Sequence, residues 1–251
     1  MKKKNKAIYL LFLMPFVYFA TACFVVWLVK TSGIYPSGSD TMYHVYRGDY
    51  VYNAIKSGNW YPLYDPAWYN GVEILRYWSP FPAYVMAFCQ YLAGGSQFGA
   101  YLFYIGGVCF LGACVWPFIG RGFNRPYLGA FIGLLWFFMP NNLCAIFIEG
   151  NLARSLSMIF LPVFIYSVYK YLYNHKLRYI PLMVFTFLLM ELCHLGYAGM
   201  VAIAVIIYGI VYMIQKGRKK AVLDVVISMI FGFMLLGIWL VASLSCLLYT
   251  S

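Results

Sequence analysis

The side chains able to move a proton or hold a cation are few: seven of 251 residues are acidic and three are histidine. Asp40 follows Gly38-Ser39, about eleven residues beyond the first apolar run. An acid there can hold a divalent cation or serve as general base at a membrane surface. It can equally be a first-turn acid favoured by a helix dipole. Asp40, His44 and Arg47 are spaced i, i+4, i+7 and share one helical face, which makes His44 and Arg47 substrate-binding candidates. Glu149 stands in the short turn Ile148-Glu149-Gly150-Asn151 and is either a second site acid or a solvated loop acid. Arg154 follows it. Arginine suits bidentate phosphate binding, and suits headgroup anchoring as well. Glu191 and His194, at i and i+3 in an apolar stretch, are expected on one helical face, as a functional pair or as bundle packing. Their spacing is not that of a zinc protease. Trp60 and Trp68, among twelve aromatics from Tyr35 to Trp78, can stack on sugar rings or form an interfacial belt.

The elements that must position these residues are apolar. The chain is 64% hydrophobic and 10% charged, where soluble domains carry roughly 25% charged residues. A soluble enzyme, a disordered tail, a coiled coil and a disulfide-rich module are excluded. The expected fold is an all-α polytopic transmembrane bundle. Net charge is +11, but the positives sit in short clusters between apolar runs: Lys2, Lys3, Lys4 and Lys6; Arg121 and Arg125; Lys170, Lys176 and Arg178; Lys216, Arg218, Lys219 and Lys220. That is a cytoplasmic collar, and it excludes nucleic acid as partner. The seven cysteines form no C-x-x-C pair. Walker A, dinucleotide-binding and G-x-S-x-G signatures are missing from the sequence, so a reaction here needs a donor already activated on a lipid.

About seven spans are expected: 7–29, 98–119, 127–147, 152–172, 179–197, 198–215 and 221–244. Between the first two lies a loop, 30–95, with a helix over 39–57 bounded by Ser39 or Asp40 and by Gly58. The apolar stretch 79–93 is short, and if it crossed, the later basic clusters would face away from Lys2–Lys6. It is therefore expected to be a re-entrant or juxtamembrane helix. The loop is then extracytoplasmic, the amino terminus cytoplasmic, and residues 1–251 one membrane domain. The end of the chain, Ser245–Ser251, lacks a polar flank and resembles sequencing read-through, so the natural protein is expected to be longer.

This layout resembles the GT-C membrane glycosyltransferases. Ser39-Asp40-Thr-Met-Tyr-His44-Val-Tyr-Arg47 is similar to their first acidic motif. Gly58-Asn-Trp60-Tyr-Pro62, Trp68-Tyr-Asn-Gly71 and Tyr77-Trp-Ser-Pro80 resemble a run in the bacterial membrane family labelled "6-pyruvoyl-tetrahydropterin synthase-related". Met139-Pro140 followed by Glu149-Gly-Asn-Leu-Ala-Arg154 resembles the second outer acidic turn of oligosaccharyltransferase catalytic subunits. The resemblance implies transfer of a sugar from a polyprenyl-phosphate donor to an acceptor on the outer face of a bacterial plasma membrane. Asp40 would be base or metal ligand, Glu149 a second acid or metal ligand, and Arg154 or Arg47 a phosphate contact. A divalent cation, Mg or Mn, would be the cofactor. The competing expectation is a non-catalytic or transport protein of polysaccharide or lipid export, with Glu191 and His194 as a relay.

Overall fold

The computed structural model describes residues 2–36, 38–68, 70–241 and 243, with side chains from residue 12 onward. The side chains of Lys2–Lys6 and the stretch 245–251 lie outside the described residues. In chain order the helices are α1 (Lys2–Ser32), α2 (Thr41–Lys56), α3 (Ile74–Tyr77), α4 (Phe81–Leu92), α5 (Gln97–Gly122), α6 (Pro126–Trp136), α7 (Pro140–Leu143), a π-helical turn (Cys144–Ile148), α8 (Leu152–Asn174), α9 (Tyr179–Cys193), α10 (Leu195–Lys216) and α11 (Lys219–Leu235). Among the described residues the only β pairing is an isolated bridge between Asp65 and Val72.

Among the described residues, five helical stretches are long and apolar enough to cross a membrane: Phe12–Ser32, Gln97–Gly122, Pro126–Ile148, Leu152–Asn174 and Leu195–Lys216. They expose large apolar side chains outward, including Phe12, Phe16, Phe118, Phe131 and Ile214. Water would penalise such a surface, whereas lipid does not. The protein is an all-α polytopic membrane protein. α9 is apolar but spans only Tyr179–Cys193, because the chain breaks at His194. α11 bends at Leu236 and is helical again over 237–241. α4 has 12 residues, about 18 Å of helix against roughly 30 Å of hydrocarbon. It packs on α2, where a Cβ on Gly48 would lie 2.2 Å from Met86 Cγ, and Gln90 Nε2 donates to Asp49 at 2.6 Å.

The chain forms two compact units, residues 1–60 with 82–159 and residues 61–81 with 160–251. In the first, α1, α5 and α6 pack together through small residues. A Cβ on Gly120 would come within 2.6 Å of Gly129 Cα, and one on Gly112 within 2.6 Å of the Trp136 ring. Between helices in lipid, where water drives nothing together, such close approach supplies the van der Waals contact. The buried Tyr18 hydroxyl donates to the Ala130 carbonyl at 2.8 Å across this seam.

In the second unit α9, α10, α11 and the later turns of α8 enclose a core that includes Phe164, Leu172, Met183, Phe187, Val205 and Met229. The Phe164 and Phe187 rings lie 5.2 Å apart. Residues 74–77 are tied to the last helical segment: Trp239 Nε1 donates to the Leu75 carbonyl at 2.6 Å, and the Ser243 hydroxyl donates to Arg76.

Gly120→Ala should destabilise the first unit by about 1–3 kcal/mol through overpacking, because the opposing atoms are backbone. Gly199→Ala, where an added Cβ meets nothing within 4 Å, should be neutral or slightly stabilising. Melting in detergent checks both. Equal melting of the two variants would contradict the α5–α6 seam.

Candidate active site

The first unit brings Asp40 and Glu149 to one place. The Asp40 amide donates to the Glu149 carbonyl at 3.0 Å, and the Ser39 hydroxyl donates to the same carbonyl at 3.0 Å. That hydroxyl also lies 3.2 Å from Asp40 Oδ1. The junction has no spare room. Gly38 and Gly150 face each other, and a Cβ on Gly150 would sit 2.3 Å from Thr41 Oγ1 and 2.6 Å from the Thr41 amide. Gly150 also has φ +68°, a conformation that disfavours a side chain.

Asp40 is the N-cap residue of α2, yet its carboxylate makes no capping hydrogen bond. Among the described residues it enters no ion pair. It is half-buried, and the hydroxyl near its Oδ1 is that of the adjacent Ser39. Glu149 differs. Its Oε2 pairs with Arg154 Nη1 at 2.5 Å, and its Oε1 lies 3.5 Å from the Cys144 thiol. Arg154 Nη2 donates to Asn141 Oδ1 at 2.7 Å, and Asn151 Oδ1 accepts the Arg154 amide at 2.9 Å, capping α8. Glu149 and Asn141 therefore hold the Arg154 guanidinium in place, and its Nε is buried without a hydrogen-bond partner among the described residues. Asn141 and Cys144 were not singled out from the sequence. Asn141 lies in α7 and Cys144 opens the π-helical turn, and only their approach to Glu149 and Arg154 gives them a role.

The face expected to carry Asp40, His44 and Arg47 does so, but it turns inward. His44 and Arg47 are both buried, and Arg47 Cζ lies 5.3 Å from the Tyr43 ring centroid. Burial pushes the Arg47 pKa down, opposed by the nearby Tyr43 and Tyr104 hydroxyls. Burial pushes Tyr43 up; Arg47 opposes this and Asp40 adds to it.

The donor set does not fit the divalent cation implied by the resemblance. Both Glu149 oxygens are engaged, and no group of three or more His, Cys, Asp or Glu side chains that could hold an ion occurs among the described residues.

In the same unit an apolar cavity of about 820 Å³ lies between α1, α4 and α5. Tyr104 lines it, and its hydroxyl donates to the Leu152 carbonyl at 2.8 Å, at the start of α8. Lys30, at the end of α1, also lines it.

Glu191 and His194 belong to the second unit. The expectation that they share one helix is corrected. α9 ends at Cys193, and His194 is extended, with φ −153° and ψ 95°. Its Nδ1 accepts the Tyr197 amide at 3.0 Å and so caps α10, a role more usual for Asn or Asp. Glu191 is buried; its carbonyl accepts the Ser79 hydroxyl at 3.0 Å, and its Oε2 has no hydrogen-bond partner among the described residues. Trp60, in the first unit, is 71% exposed, and Trp68, in the second, is half-buried.

A family model described as "6-pyruvoyl-tetrahydropterin synthase related domain; membrane protein" matches residues 75–248. The match takes in Glu149, Arg154, Glu191 and His194 and begins beyond Asp40. No curated protein and no solved structure matches the chain.

Gly150→Ala should open the junction and lower stability by about 1–3 kcal/mol, since it adds strain at positive φ and a clash. Asp40→Asn keeps the backbone hydrogen bond and should change stability by less than about 0.5 kcal/mol. Thermal unfolding of the two variants measures the difference. A Gly150→Ala protein as stable as the parent would argue against the glycine contact.

Proposed function

Because the chain belongs to the 6-pyruvoyl-tetrahydropterin synthase related family of membrane proteins, we propose that it carries out GT-C-like glycosyl transfer in a bacterial plasma membrane. Its amino terminus lies in the cytoplasm and its acidic turns on the outer face. The donor is a polyprenyl-phosphate-linked sugar, and the acceptor is a hydroxyl. The observation that carries this reading is the locking of Ser39-Asp40 onto the carbonyl of Glu149, 110 residues away from Ser39.

The chemistry divides as follows. The acceptor oxygen attacks the anomeric carbon, the bond from that carbon to the phosphate oxygen breaks, and the acceptor proton passes to Asp40. Asp40 suits this because its carboxylate is neither capping nor ion-paired among the described residues. Negative charge grows on the departing phosphate, and fixed positive charge there lowers the barrier. Arg154 supplies it. Glu149 acts on the reaction through Arg154: it orients the guanidinium with Asn141 and is a positioning residue. The apolar cavity between α1, α4 and α5 is of the size that takes a ligand chain, and Lys30 at its lining offers a second cation. Trp60, exposed as it is, remains available to stack on a sugar.

Asp40→Asn should reduce sugar transfer by about 10²- to 10⁴-fold, the usual contribution of a general base, with membrane expression and melting unchanged. Transfer from a radiolabelled polyprenyl-phosphate sugar in membranes measures it. Retained transfer would remove Asp40 from the mechanism. The export reading draws on one observation, the buried Glu191 with its unpartnered Oε2. It makes Glu191→Gln the severe lesion in place of Asp40→Asn, so the same pair of variants separates the two.

A further inference from the structure

The basic cluster over 216–220 is read from sequence as part of a solvated collar. Its shape suggests more. In the second unit, a cavity of about 530 Å³ lies where the α10–α11 turn meets the end of α8. Its lining includes Tyr171, His175, Arg218, Lys219, Lys220 and Asp224. α10 ends at Gly217 in the left-handed conformation, φ +66°, which reverses the chain and swings the three cations back over the end of α8. The Arg218 guanidinium there meets the His175 ring, 43 residues away in sequence.

We infer that this concavity binds a phosphate group, carried either by an anionic lipid headgroup or by a soluble phosphate. Three adjacent cations repel one another, and each is exposed, so their charge is available to a ligand. A bound dianion relieves the repulsion, and the guanidinium offers it a planar fork of donors. The one carboxylate in the pocket is partly spoken for, because Asp224 Oδ2 accepts the Tyr171 hydroxyl at 2.6 Å. The first amides of α11, those of Lys220 and Ala221, have no backbone acceptor among the described residues and add donors on the same wall. A chain laid flat in solvent would show the same charge without the enclosure. Basic pockets of this kind between membrane helices hold anionic headgroups. The inference stands apart from the glycosyltransferase reading and survives its failure.

The test uses the full chain. Two probes are applied: nanodiscs of phosphatidylcholine with or without phosphatidylglycerol, followed by native mass spectrometry of the lipid retained, and inorganic phosphate alone, followed by melting in detergent. Wild type should retain phosphatidylglycerol over phosphatidylcholine, or be protected by inorganic phosphate. Retention without protection assigns the site to a lipid headgroup, and protection assigns it to soluble phosphate. Arg218→Gln with Lys220→Gln should weaken binding about 30-fold, the effect of two cations near an anionic surface. Asp224→Asn should strengthen it about fivefold by the same reasoning. Arg121→Gln with Lys170→Gln, which removes as much charge from the collar outside this pocket, should leave it unchanged. Absence of both kinds of binding in wild type overturns the proposal. So does a control variant that loses as much as the pocket variant. If the pocket double variant does not fold, Asp224→Asn decides: tighter binding supports the site, and unchanged or weaker binding overturns it.

Discussion

A Cβ atom at Gly150 would fall 2.3 Å from the Thr41 hydroxyl oxygen, and one at Gly38 would fall 2.5 Å from Gly150 Cα. Two turns from distant parts of the chain therefore touch with their backbones in close approach. The candidate site depends on that contact. With the gap closed, the Glu149 carbonyl accepts two donors from Ser39 and Asp40. Asp40 and Glu149 are thereby joined through their backbones.

In the first unit three charged groups out of full contact with solvent have a polar or aromatic neighbour. Arg154 is shared by Glu149 and Asn141. Arg47 lies over the Tyr43 ring. Asp49 accepts from Gln90. The exposed surface of the long helices is by contrast apolar, as a hydrocarbon solvent requires. Asp40 stands out because its carboxylate serves neither as cap nor, among the described residues, as an ion-pair partner. A carboxylate without a counter-ion is the natural place to look for chemistry.

Much of this was legible beforehand. The helix expected over 39–57 is α2, Thr41–Lys56, and its bounding residues are Asp40 and Ser57. The stretch 98–119 is the interior of α5, whose start Ser96 caps by accepting the Gly99 amide. Other features were out of reach. The run 127–147 hides a break near Met139-Pro140 and a π-helical turn over Cys144–Ile148, neither of which changes the apolar pattern. The boundary between the runs 179–197 and 198–215 was misplaced because Leu192 through Ala198 is apolar or small almost throughout. Only the capping bond of His194 Nδ1 to the Tyr197 amide marks the true break.

The sequence by itself determined that the protein is a bundle of membrane helices, because apolar runs of about twenty residues have one way to satisfy their backbone in lipid. It also determined which few residues could carry chemistry, because so few are ionisable. The tertiary structure alone decided that Asp40 and Glu149 meet, that Arg47 turns inward, and that His194 ends a helix rather than pairing along one. The physical reason is that each outcome is a contact between groups whose meeting depends on where the chain folds: a carbonyl reached across a glycine junction, a ring beneath a guanidinium, and a ring nitrogen turned onto an amide. The spacing of apolar and polar residues carries none of these.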